Sequence, residues 1–278
     1  MNNIKLVATD LDGTFLRNDK TISPSNLDTL RMLGDRKVVR VAATGRNMHK
    51  FREVIPDHVP FDFVVYSSGA GVYDCTGNNH IYTRNIPADI ASLLIRCFKS
   101  RDVNFHAFWP APENHHLWYH RGSSHCEEFE RYFTFHHALA APLPEKGMPE
   151  TDLCQFLVVI PGDEQKYATL KSDIEAISPE IRVIRASSPL NTGYIWLEIF
   201  HKSVSKGNGV LFLCKRLNIS PEETLGIGND YNDIDLLEFT GHSFLTDNAP
   251  AALKKNFRLL PANEDDAFAH VISQINQK

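Results

Sequence analysis

The chain has 278 residues, 42% of them hydrophobic and 23% charged, which is more than one ordinary core usually fills and leaves no room for a mainly disordered protein. Its net charge of −5 argues against a general nucleic-acid or anionic-membrane binder, since both reward a basic face. No apolar run approaches the roughly 20 residues that span a bilayer, and "MNNIKLVATD" lacks the pattern of a secretory signal.

The elements, taken in chain order, begin with Ile4 to Ala8, a short apolar, β-branched run that reads as a strand and ends in Asp10-Leu11-Asp12-Gly13. A Ser-Pro helix start follows, with Leu27, Leu30 and Leu33 on one face and Gly34 near its stop. The next strand, Lys37 to Ala43, ends at Thr44-Gly45-Arg46. Its Arg40 is awkward in a buried strand and suggests a snorkelling or edge position. A helix through Phe51 then leads to "FDFVVYSSGAGVYD", a strand with a glycine-rich end. Strand, helix, strand, helix, strand is the pattern of a parallel α/β sheet.

From about Asn85 the pattern changes to α+β. "PADIASLLIRCFKSRD" reads as a helix, and "VNFHAFWP" and "LWYHRG" read as strands. "LCQFLVVIPG", a helix from Tyr167 to Ile177, and "IRVIRASS" continue the pattern. We therefore expect residues 85–189 to form an inserted second domain and residues 1–84 and 190–278 to form a Rossmann-like core. The core pattern resumes with the strand "TGYIWLEIF" and a helix opening near Ser205-Lys206. Ser220, Pro221 and Glu223 suit the N-cap, first and third positions of a short helical turn. A strand from Thr224 to Ile227, a helix through Leu236 and Leu237, "FLTDNAP" and an amphipathic tail complete the sheet edge and its covering helix. The five cysteines, odd in number and without a C-x-x-C pair, fit reduced thiols in a cytoplasm. Nothing in the pattern sets an oligomeric state.

Alone, Asp10-Leu11-Asp12-Gly13 is an acidic turn. An EF-hand is excluded because its glycine belongs at the sixth loop position, whereas Gly13 follows the second aspartate directly. In an open parallel sheet, however, the carboxyl ends of the strands converge on one crevice. Asp10 and Asp12, Thr44 and Gly45, Lys206 and the Asn229 to Asp233 loop all fall at strand ends or helix starts. Two close carboxylates repel unless a cation sits between them, and a hard divalent ion such as Mg²⁺ prefers such oxygens. Thr44, the Gly45 N–H and Lys206 face an anion well. Acids for a metal and donors for an anion describe phosphoryl transfer. Each feature also has an ordinary reading: a strand-ending turn, a solvated lysine, an acidic cluster at a helix start.

"VATDLDGT", "VAATGR", "VSKGNGV" and "GIGNDYNDIDLL" resemble the four ordered motifs of the haloacid dehalogenase-like hydrolases. The insertion resembles the type-B cap of the Cof-like subgroup, as do "SSGAGVYD", "DNAP" and "ANEDDAFAHVI". The resemblance implies a Mg²⁺-dependent phosphatase acting on a small phosphorylated metabolite, either a sugar phosphate or a phosphorylated cofactor. It makes Asp10 the nucleophile that becomes an aspartyl-phosphate and Asp12 the general acid and base. It gives the Leu11 N–H, Thr44, Gly45, Lys206 and Asn232 the phosphoryl oxygens, and Asp10, the Asp12 carbonyl and residue 229 the metal. Arg46 contacts substrate or cap, or forms an ordinary salt bridge.

The fourth motif departs from the family's Gly-Asp-x-x-Asn-Asp: the expected metal carboxylate is Asn229, which costs the site a negative charge. Asp230 can compensate if the loop turns by one residue, and Asp233 can bind a metal-bound water or orient the loop or Lys206. Ser68-Gly69 stands where the family often has Asn-Gly. The insert should close over the acidic loop as a cap and set specificity. Its His116, Trp118 and His120 share one face if their segment is a strand, as pocket residues or as a half-buried sheet face. A zinc site from His115, His116, His120, His125 and Cys126 lacks a recognised ligand spacing. The competing functions are a phosphomutase of the same superfamily and a phospholigand-binding protein without turnover. A dehalogenase is disfavoured because it leaves Asp12 and the metal loop without a task.

Overall fold

The computed structural model describes residues 4–144, 150–188 and 193–276. In chain order the strands and α-helices are β1 (Leu6–Thr9), α1 (Pro24–Asp35), β2 (Val39–Ala43), α2 (Met48–Val54), β3 (Phe63–Tyr66), β4 (Gly71–Asp74), β5 (Asn79–Thr83), α3 (Ala88–Ser100), β6 (Phe105–Phe108), β7 (Leu117–His120), α4 (Glu127–His136) and β8 (Ala140–Pro142). There follow β9 (Gln155–Pro161), α5 (Glu164–Glu175), β10 (Ile181–Ser187), β11 (Tyr194–His201), α6 (Lys206–Leu217), β12 (Thr224–Gly228), α7 (Ile234–Phe239), β13 (His242–Thr246), α8 (Ala251–Lys254), β14 (Arg258–Leu260) and α9 (Ala267–Asn276). They form two compact units, Met1–Tyr82 with Val204–Lys278, and Thr83–Ser203.

The first unit carries an eight-stranded sheet in the order β14-β13-β12-β1-β2-β3-β4-β5. From β14 to β3 every neighbouring pair is parallel. The central strand β1 is buried on both faces, as its continuous apolar run requires. On one face Leu6, Ala8, Val41, Ala43 and Val65 pack against Val210, Leu213 and Cys214 of α6 and Leu236 of α7. Elsewhere in this unit Phe15 meets Phe268 edge-on at 5.0 Å, and the buried Asn26 side chain donates to the Phe15 carbonyl and accepts from the Ala269 N–H. Asn263 donates to the Leu16 carbonyl and Asn248 to that of Gly13, so the loop after β1 is tied to residues 248–269. Ser220 and Glu223 form the expected capping box.

Two details of this unit differ from the sequence reading. The glycine-rich segment after β3 is a corner rather than a strand end, because β4 returns antiparallel along β3. Arg40 lies in an interior strand, with its charge met by a two-pronged contact to Asp62 at 2.9 and 2.6 Å.

The second unit is a six-stranded sheet, β10-β11-β9-β6-β7-β8, antiparallel except at the β7–β8 edge. Phe105, Phe156, Val158, Leu197 and Ile199 alternate along their strands and pack with Leu94 and Phe98 of α3 and Ile174 of α5. Trp118 packs against this cluster, and the His120 ring lies 5.2 Å from that of Phe105. Residues of opposite parity are partly covered by α4, a helix the sequence reading did not anticipate, whose Phe129 ring stacks on His106 at 4.2 Å.

The first unit re-enters later in the chain than the sequence predicts. "TGYIWLEIF" was expected to resume the core, yet β11 pairs with β9 and β10, and the first unit restarts at Val204. An apolar strand of this length suits either a parallel core or a covered antiparallel sheet, and periodicity does not name its neighbour. The expected boundary at 189/190 lies outside the described residues.

Candidate active site

Three adjacent parallel strands, β12, β1 and β2, deliver the candidate residues at their carboxyl ends. The Asp10 N–H still bonds to the Ile227 carbonyl at 2.9 Å, so the ladder holds the aspartate's backbone before the chain turns. Gly13 makes that turn at φ +77°, and a Cβ there would lie 2.5 Å from the Asn229 amide, so only glycine fits between the two loops. Gly69 plays a similar part at φ +100°: its Cβ would meet the Ser205 carbonyl at 2.0 Å. The corner thus abuts the start of α6, where Ser205 caps the helix by accepting the Asn208 N–H.

Lys206 opens that helix and is buried rather than solvated. Its ammonium donates to Asp10 Oδ1 and to Asp233 Oδ1, each at 2.6 Å. The two carboxylates hold its pKa above the usual lysine value against the opposing effect of burial. Burial raises the Asp10 carboxyl above the ordinary range; Lys206 opposes this, while Asp233 and Asp12 add to it. Asp233 Oδ2 accepts the backbone N–H groups of Asn229 and Asp230 at 2.8 and 3.0 Å. Both of its oxygens are thus engaged, orienting Lys206 and the loop.

The Asp12 carboxylate has other partners. Arg46 grips it with two prongs, Nε to Oδ2 at 2.6 Å and Nη2 to Oδ1 at 2.8 Å, and Lys20 adds a third contact at 2.8 Å. Burial acts in the opposite direction, but Arg46 and Lys20 prevail and bring the Asp12 pKa down to about 2. The ion-pair reading of Arg46 thus has a partner in Asp12. Lys20 went unnoticed in the sequence; the "RNDK" turn that brings it back beside Asp12 was the available signal.

Thr44 is buried, and its hydroxyl accepts the Arg46 N–H at 3.1 Å. A Cβ at Gly45 would lie 3.7 Å from Asn232 Nδ2 and 3.6 Å from Ser68 Oγ, which places these side chains beside the Thr44-Gly45 turn. Ser67 and Ser68 adopt left-handed backbone at φ +48° and +54°, unusual for two buried serines in succession and a source of local strain.

Residues able to hold a cation converge at the other Asp10 oxygen. One terminus of the Asn229 carboxamide lies 3.1 Å from Asp10 Oδ2 and 3.0 Å from the Asp12 carbonyl. A carboxylate, a backbone carbonyl and an amide are ligands that a hard divalent ion accepts, so the donor set fits Mg²⁺ in kind. It brings a single carboxylate to that point. In the second unit, Glu113, His115 and His116 bring atoms of ligand type within 4.8 Å of one another; among the described residues His120, His125 and Cys126 do not join them.

The chain matches the family model of haloacid dehalogenase-like hydrolases over residues 7–272. The HMP-PP phosphatase of Serratia proteamaculans is 24% identical, covering 96% of this chain and 94% of its own. That of Klebsiella pneumoniae is 23% identical, covering 90% and 86%. The fold is shared with a haloalkanoate-superfamily phosphatase from Bacteroides thetaiotaomicron at a TM-score of 0.80, with 19% identity over 99% of this chain and 96% of that one. It is shared also with a subclass IIB sugar phosphatase at a TM-score of 0.77, with 17% identity over 98% and 99%. With a family match running from the strand that presents Asp10 into the C-terminal helix α9, the protein belongs to the haloacid dehalogenase-like hydrolases.

Proposed function

We propose that the protein is a Mg²⁺-dependent phosphatase that hydrolyses a small phosphorylated metabolite, a sugar phosphate or a phosphorylated cofactor, through an aspartyl-phosphate on Asp10. The observation that carries this reading is the environment of Asp10: a buried carboxylate with a lysine on one oxygen and further oxygen-bearing groups gathered at the other. The phosphatases among its relatives support the reaction class, and the HMP-PP and sugar phosphatases support the range of substrates. No described helix is long and apolar enough to cross a membrane, and we place the enzyme in the cytoplasm on its cysteine usage.

In the first step an Asp10 oxygen forms a bond to phosphorus while the bond from phosphorus to the leaving oxygen breaks, and Asp12, which must first leave the Arg46 and Lys20 contacts that hold it ionised, gives that oxygen a proton. In the second, Asp12 takes a proton from water, whose oxygen attacks phosphorus, releasing phosphate and restoring Asp10. Lys206, Thr44, Asn232 and the N–H groups of Leu11 and Gly45 hold the phosphoryl oxygens as charge develops. Mg²⁺, held by Asp10, the Asp12 carbonyl and Asn229, supplies charge neutralisation to the phosphoryl group. Asp233 serves from behind, through Lys206 and the loop. The inserted unit selects the leaving group.

Phosphate release from p-nitrophenyl phosphate and from a panel of sugar and cofactor phosphates, with graded Mg²⁺, tests the proposal in the wild type and in Asp10→Asn. Turnover that depends on Mg²⁺ and vanishes in the variant is expected. Saturable binding of phosphorylated ligands without release would instead favour a binding protein, the reading that Asn229 motivates.

A further inference from the structure

The inner terminus of the Asn229 carboxamide has three neighbours. Asp10 Oδ2 and the Asp12 carbonyl lie 3.1 and 3.0 Å away, and the Thr14 hydroxyl lies at 3.3 Å. An ionised carboxylate and a carbonyl can only accept hydrogen bonds. With the amide oxygen inward, oxygens of three groups face one another, an arrangement that a cation relieves. With the amide nitrogen inward, both short contacts become hydrogen bonds. The Thr14 hydroxyl suits either case, since it donates to an oxygen and accepts from a nitrogen.

We infer that Asn229 is a two-position amide, with its nitrogen inward in the metal-free protein as an internal stand-in for the cation and its oxygen inward when a divalent ion is bound. The inference rests on the Mg²⁺-dependent reading above and deepens it. Nitrogen and oxygen exchange places by a half-turn of a planar group, so the two states have nearly the same shape. That equivalence matters because the amide is packed against Gly13, where even a Cβ would lie 2.5 Å away. An aspartate at this position would have only the second state.

The surrounding charges explain the consequence. Asp10 and Asp233 are buried around one ammonium, Lys206, while the Asp12 carboxylate is turned to Arg46 and Lys20. A carboxylate at position 229 would add a negative charge beside Asp10 and remove two hydrogen-bond donations. The amide therefore keeps the metal-free site assembled, and binding an ion must first undo two hydrogen bonds. The enzyme gives up metal affinity and gains a catalytic loop whose order does not depend on metal.

Asn229→Asp tests this through properties other than turnover. Mg²⁺ should bind the variant about tenfold more tightly by calorimetric titration, as expected when a ligand charge is added. The melting temperature in EDTA should fall below that of the wild type, and Mg²⁺ should raise it by a larger step. In wild-type protein carrying ¹⁵N-asparagine, one side-chain amide pair should be shielded from exchange without metal, shift on Mg²⁺ saturation and broaden with Mn²⁺. This last measurement needs no substitution and applies even if the variant folds poorly. Equal melting temperatures in EDTA with equal Mg²⁺ affinities would overturn the inference, as would an amide spectrum indifferent to saturating metal or the absence of divalent binding. Loss of the phosphatase reading would appear separately, as no phosphate release by a wild type that binds metal and moves its amide.

Discussion

Lys206 lies 2.6 Å from the fully buried Asp233, the same distance that separates it from Asp10. Asp233 is thus the fixed point of the site: one oxygen orients the lysine and the other holds the loop that carries Asn229. Asp233→Ala should destabilise the protein by about 3 kcal/mol, because it leaves a buried ammonium half-paired and two N–H groups without their acceptor. Turnover should drop at least about tenfold as Lys206 loses its orientation. The three tryptophans, Trp109, Trp118 and Trp196, all lie in the second unit, so unfolding of this site should be followed by far-ultraviolet circular dichroism rather than by fluorescence.

The three-contact grip on Asp12 predicts a pH effect. Arg46 and Lys20 hold the Asp12 pKa down to about 2. Removing the guanidinium in Arg46→Met should raise that pKa toward the ordinary carboxylate value, read by NMR as the pH at which the Asp12 side-chain carboxyl carbon titrates. Lys20→Met should move it less, since that contact is single and its ammonium more exposed. A titration unchanged in both variants would show that these two cations do not set the Asp12 pKa.

His106 supplies a stability prediction for the second unit. Neither ring nitrogen has a hydrogen-bond partner among the described residues, and burial pushes the imidazole down to about 3. The folded pKa lies below the unfolded one, so folding favours the neutral ring: this stability is complete above the unfolded value of about 6.5 and is lost as pH falls below it. His106→Phe preserves an aromatic partner for Phe129 and cannot bind a proton. Relative to the wild type it should gain about 2 kcal/mol between pH 7 and pH 5, read by urea unfolding with tryptophan fluorescence. A difference independent of pH would show that the ring is not protonated on unfolding.

Much of the framework of the candidate site was legible because β1, β2 and β12 are apolar runs that stop abruptly at Asp, Thr-Gly and Gly-Asn, and in a parallel sheet such ends must gather on one side. The placement of β11 was not legible, because its apolar run suits either sheet and the choice depends on long-range pairing with β9 and β10. The direction of the Asp12 side chain was hidden for a related reason. It depends on Arg46 and Lys20, and Lys20 is brought back by a turn whose geometry, not its composition, sets the contact. The left-handed Ser67 and Ser68 were hidden as well, since serine carries no preference for that backbone.

The ties of Asn26, Asn248 and Asn263 to residues 13–16 and 269 have a consequence for synthesis of the chain. The segment that follows Asp10 is made before the partners of its Gly13 and Leu16 carbonyls, which are encoded more than two hundred residues later. A nascent chain can form helices and hairpins in the meantime, but the loop behind Asp10 gains its full set of tethers only after residues 248–269 have emerged. A ribosome that stalls before residue 248 therefore releases a fragment with Asp10 and Asp12 present and the loop behind them short of two of its tethers.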